Sequence, residues 1–104
     1  MIVPVLTFAT ITIPAGQTMQ LVTSESGPTI GPGPVYYNVL NLGPDVVYLR
    51  QGQDPAPGDP HSETLPALAA DNMIFVPDAT EGLRILAGPA GASVSVRVAV
   101  PLSA

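Results

Sequence analysis

Between Ser93 and Val100 every second residue is valine, with Ser93, Ser95, Arg97 and Ala99 between them. A period of two puts one set of side chains on each face of a pleated strand, so the valines enter a core and the Ser/Arg set meets water. β-branched residues fit that surface, and Pro101, which has no N–H to donate, ends the ladder. A chain closed by such a strand needs a sheet to receive it.

The rest of the sequence repeats the pattern. Phe8–Ile13, Thr18–Thr23, Val35–Leu42, Val46–Arg50, Met73–Val76 and Leu83–Leu86 are β-rich runs, and a short strand is expected near Leu65. Between them lie Pro14-Ala15-Gly16-Gln17, Gly43-Pro44-Asp45 and Gly88-Pro89-Ala90-Gly91, which carry the residues of tight turns. The spacing predicts hairpins over 35–50 and 83–100, and a return of 18–23 on 8–13. Leu65-Pro66-Ala67-Leu68-Ala69-Ala70 makes one helical turn at most, because of its length and internal proline. The expectation is all-β: a single small antiparallel β-sandwich or jelly-roll-like domain of about seven or eight strands over residues 1–104. Its Pro/Gly-rich loops fall at 24–34 and 51–63, and neither is a domain linker, since each half has too few strands to close a core.

Composition narrows the function classes. The net charge is −5, and the three basic residues are Arg50, Arg84 and Arg97. Three scattered arginines form no phosphate-binding face and no attachment to anionic lipid, so neither nucleic acid nor membrane is expected as a partner. There is no cysteine, which removes disulfides, thiolate metal sites and a cysteine nucleophile. The first 24 residues carry no side-chain charge, but Pro4 and Pro14 interrupt them and no basic residue precedes them, unlike a signal peptide.

The densest polar cluster is Asp54, Asp59, His61 and Glu63. In extended backbone residues 59, 61 and 63 would project to one side, a carboxylate–imidazole set of the kind that binds metals. A single histidine is a weak signature for that, and acids gather in wet Pro-rich loops; metal and cofactor are both read as none. His61 is also the only base for a serine nucleophile, and no Gly-x-Ser-x-Gly elbow occurs. The Gly-rich run at 27–34 lacks the Gly-Lys-Ser/Thr ending of a phosphate loop, and its prolines remove the needed N–H donors. The chain is therefore read as no enzyme. With 46% hydrophobic and 11% charged residues, a lone sandwich is short of polar groups to cover itself, which implies one or more apolar protein–protein faces. The candidate contact residues are Tyr36 and Tyr37, one of which should face inward, together with Ile30 and Phe8.

The run from Asn38 through Asn41-Leu42-Gly43-Pro44-Asp45 and Val47-Tyr48-Leu49-Arg50 to Gly52, then Asp54-Pro55, Leu65-Pro66-Ala67 and the closing Ala90-Gly91-Ala92-Ser93-Val94-Ser95-Val96, resembles small β-sandwich virion proteins of tailed bacteriophages. The likeness spans about residues 35–100. It implies a capsid decoration (cement) protein or related accessory head or tail protein without catalysis, a homo-oligomer and commonly a trimer. Such a protein binds the major capsid protein on the capsid surface of the virion, after assembly in the host cytoplasm. A receptor- or carbohydrate-binding module of a phage tail is the alternative.

Overall fold

The structure is a computed structural model that describes residues 2–5, 8–22, 34–77 and 81–99. Nine strands appear in it: β1 (Ile2–Pro4), β2 (Phe8–Ile13), β3 (Thr18–Val22), β4 (Val35–Pro44), β5 (Val47–Arg50), β6 (Glu63–Leu65), β7 (Ala70–Val76), β8 (Leu83–Ala87) and β9 (Ala92–Ala99). They form two sheets, ordered β1-β3-β8-β5-β6 and β2-β9-β4-β7. All pairings are antiparallel except β1 with β3.

The pairings are nested. β5 pairs with β6, β4 with β7, β3 with β8 and β2 with β9. The chain is thus one long double-stranded ribbon, closed by the loop after β5 and rolled so that successive ribbon segments alternate between sheets. That is the jelly-roll arrangement. It agrees with the expected class, with β1 added at one edge.

The expected hairpins are corrected by this topology. β4 and β5, β8 and β9, and β2 and β3 each lie in different sheets, so their short connections are arches across the sandwich. Alternation reports which face of a strand is buried, and it is satisfied equally by a neighbour in the same sheet or by one across the core. The three arches meet at one end. Gly16 N donates to Gly88 O, Gly88 N to Val46 O and Asp45 N to Gly91 O, while Ala87 N reaches Gln17 O. Asp45 fastens the group, since its carboxylate accepts from its neighbour Val46 N at 2.7 Å and from Ala90 N at 2.8 Å. These N–H groups hold its carboxyl below the ordinary value of 3.8. Asp45, a turn residue by sequence, is thus a structural acceptor. Gly88 admits it, because a Cβ there would lie 2.6 Å from the Asp45 carboxyl carbon.

The core lies between the sheets. Ile13, Leu21, Val35, Tyr37, Val39, Val47, Ile85, Val94 and Val96 are all buried, and the valines of β9 fall on the inward phase as expected up to Val96. Asn41 occupies the same inward phase of β4 and is wholly buried. Its amide donates to Asp45 O at 2.8 Å and Leu65 O at 2.9 Å, and its Oδ1 accepts from Gly43 N at 2.8 Å. Its backbone bonds Ala69 and Leu68. A polar side chain so satisfied ties the end of β4 to the β6–β7 connection. No helical turn forms there: Pro66–Ala69 is a tight turn with Leu68 at φ 66°.

Candidate functional site

The two outer faces differ. On the five-stranded sheet, Arg50 and Arg84 are register partners and point outward, because Leu49 and Ile85 beside them are buried. The loop after β5 folds back over them: Asp59 pairs with Arg50, and Asp54 pairs with Arg84 at 3.0 Å. Pro55 is buried by this fold-back. Two of the three cations are thereby engaged by the protein's own loop.

The four-stranded sheet has no such cover among the described residues. Its outward phase carries Phe8 on β2, Tyr36, Leu40 and Leu42 on β4, and Met73 and Phe75 on β7. Phe8, Met73 and Phe75 are 57%, 59% and 48% exposed. Between them runs a shallow groove of ≈ 500 Å³, lined by Asn38, Leu40, Met73, Ser95 and Arg97 among others. Tyr36 and Phe75 form one rim, their rings 5.4 Å apart and tilted by 55°. At the far edge the guanidinium of Arg97 sits 5.8 Å over the Phe8 ring. β4 supplies this face because its inward phase is already filled by Val35, Tyr37, Val39 and Asn41, which leaves Tyr36, Asn38, Leu40 and Leu42 outside.

The sequence candidates separate accordingly. Phe8 and Tyr36 lie on the bare face. Tyr37 is corrected: it is fully buried and donates its hydroxyl to Leu21 O at 3.2 Å, so it is a core residue rather than a surface one. Ile30 lies outside the described residues, as does most of the 24–34 loop. Leu40, Leu42, Met73 and Phe75 are exposed on the same face and were not among the sequence candidates. Alternation from Tyr37 would have found the β4 pair, but nothing local announces that β7 exposes its apolar side.

The acidic loop does not converge on a metal. Residues 59–62 form turns, so the extended spacing assumed for 59, 61 and 63 does not apply. Asp59 accepts from His61 N, Ser62 Oγ and Arg50, and these contacts, led by the His61 N–H, hold its carboxyl below 3.8. Asp71, followed by burial, raises the Glu63 carboxyl from 4.5 to about 7. Among the described residues no group of three metal-ligating side chains gathers. A second cleft, of ≈ 420 Å³, opens between the sheets and is lined by Leu49, Arg50, Gln51, His61, Glu63, Ile74 and Leu83. Compared with known proteins, the chain matches no family model, no curated protein and no solved structure.

Proposed function

We propose that this chain is a non-enzymatic structural protein of a phage virion, a capsid decoration protein that self-associates, as a trimer, and binds the major capsid protein at the capsid surface. The observation that supports the reading is the bare outer face of the four-stranded sheet. Phe8, Tyr36, Leu40, Leu42, Met73 and Phe75 lie on that outer face, with Asn38, Ser93, Ser95 and Arg97 among them, in a protein with few charges, whereas the opposite face carries its own loop over Arg50 and Arg84. Exposed large apolar side chains gathered on one face of a small domain are a mark of protein contact. The jelly roll by itself does not choose, since shells, lectins and cupins share it. The sugar-binding alternative is less well supported: Tyr36 and Phe75 are tilted rather than coplanar, and Arg97 covers one face of Phe8.

The test is light scattering coupled to size exclusion, followed by co-sedimentation with shells of the major capsid protein of the phage that encodes it. Particles of more than one chain that pellet with the shells are expected. A monomer at high concentration that stays in the supernatant contradicts the reading.

A further inference from the structure

Eight acids outnumber three cations in this chain, yet Arg97 pairs with no carboxylate among the described residues, whereas Asp59 and Asp54 hold Arg50 and Arg84. Register sets Arg97 in a row across the outer face of the four-stranded sheet, with Phe8 on β2 and Asn38 on β4 as its direct partners. The Phe8 ring attracts the charge from 5.8 Å but offers no lone pair to the five N–H donors of the guanidinium.

Asn38 belongs to the same groove. The β4–β7 register steps from Tyr37–Ile74 to Val39–Asp71, so Asn72 and Met73 both stand opposite Asn38. Such a bulge re-aims the side chains around it. Met73 has φ 60°, a left-handed backbone uncommon for a residue with a Cβ, and its N–H donates to Asn38 Oδ1 at 2.7 Å. That bond occupies the amide oxygen and leaves the amide NH2 as a donor. Arg97 and Asn38 thus offer N–H groups to a groove of ≈ 500 Å³ that Leu40 and Met73 line with apolar surface. Ser95 and Asn72, which also line it, can donate as well.

On the reading that this face meets protein, we infer that the groove seats an acidic side chain of the partner protein. Arg97 is its charge partner, Asn38 a second donor, and Leu40 and Met73 take the apolar residue beside it. A carboxylate only accepts hydrogen bonds, which matches a donor set, and its two oxygens match the parallel N–H groups of a guanidinium. A wholly apolar partner would bury that guanidinium unpaired, which works against the gain from covering Phe8, Met73 and Phe75. The acid is assigned to the partner rather than to a second copy because Asp45, Asp54 and Asp59 are already bonded within the chain.

Two assays on the full chain test the site and the function separately. In the first, nitrogen-15 NMR follows the Arg97 Nε–H and Asn38 Nδ2 signals as the peptide N-acetyl-Glu-Leu-amide is added at constant ionic strength. Saturable shifts are expected, with binding at least about tenfold weaker for N-acetyl-Gln-Leu-amide and no saturation in Arg97→Gln. Equal responses to the two peptides, no response to either, or saturation retained in Arg97→Gln overturns the inference. In the second, co-sedimentation measures the apparent Kd for capsid shells, with circular dichroism to check that each variant is folded. Arg97→Gln should raise it by about tenfold or more and Arg97→Lys by less. Arg84→Gln, which removes the same charge on the opposite face, should leave it within about twofold. Unchanged binding in Arg97→Gln, or an equal loss in Arg84→Gln, overturns the inference and leaves the decoration reading standing. Wild type that ignores shells but passes the peptide assay refutes the decoration reading alone. A particle that dissociates in Arg97→Gln assigns the carboxylate to a second copy and overturns its assignment to the partner.

Discussion

Replacing Asn41 should damage this protein more than replacing any outward residue of the same strand. Asn41→Ala leaves Asp45 O, Leu65 O and Gly43 N without their partner at a wholly buried position. Each orphaned buried group costs about 1–3 kcal/mol. Backbone adjustment and entry of a water into the polar gap keep the total toward the low end, about 3–5 kcal/mol. Against a domain stability of about 5–15 kcal/mol, that moves the urea midpoint down by roughly 2 M at the slopes usual for small proteins. Asn41→Leu separates hydrogen bonding from volume. It refills the space with the same three groups still orphaned, so it should lose nearly as much as alanine. Urea melts followed by far-ultraviolet circular dichroism measure both. A loss below about 1 kcal/mol for Asn41→Ala, or near-wild-type stability for Asn41→Leu, would refute the reasoning that this amide fastens β4 to the β6–β7 connection.

Four further outcomes are expected. Tyr37→Ala removes a buried aromatic and should cost about 3–5 kcal/mol, whereas Tyr36→Ala, on the outer face, should cost under about 1 kcal/mol; thermal melts separate them. Gly82→Ala should not yield folded protein, since Gly82 has φ 66° and a Cβ would lie 1.6 Å from Leu21 O; the far-ultraviolet spectrum of the purified variant decides it. Acid titration should destabilise the fold. The Asp45 and Asp59 carboxyls lie below 3.8 when folded, so their contributions are present above that value and vanish as the pH falls through the lowered ones. Asp45→Asn should weaken the low-pH part of that curve, and a curve unchanged by the substitution contradicts the role of the Val46 and Ala90 N–H groups.

Much of the fold was legible because alternation reports burial directly. The phase of 93–100 placed Val94 and Val96 in the core, and the phase of 35–42 required one of Tyr36 and Tyr37 to face out. What alternation lacks is the identity of the strand's neighbour. Gly43-Pro44-Asp45 and Gly88–Gly91 carry turn residues whether the chain doubles back within a sheet or crosses to the other, and the choice is made by arch-to-arch hydrogen bonds between segments far apart in the chain, such as Gly16 N with Gly88 O and Asp45 N with Gly91 O. A polar residue on the inward phase is a usable signal: Asn41 continues 35, 37 and 39. Glu63 and Asp71 carry it less clearly, because β6 is three residues long and β7 is out of step with β4 after its bulge. Asp54 and Asp59 were correctly placed in a loop, but the loop's return over Arg84 and Arg50 depends on tertiary contacts.

The claim that this molecule acts through the bare side of its four-stranded sheet is tested most directly by light scattering on wild type beside Leu42→Ser/Met73→Ser/Phe75→Ser. The three side chains are exposed, so the circular dichroism spectrum should stay the same. Wild type should run as a multi-chain particle that binds capsid shells, and the variant should lose one or both properties. An unaltered particle that still binds shells after all three substitutions would contradict the account.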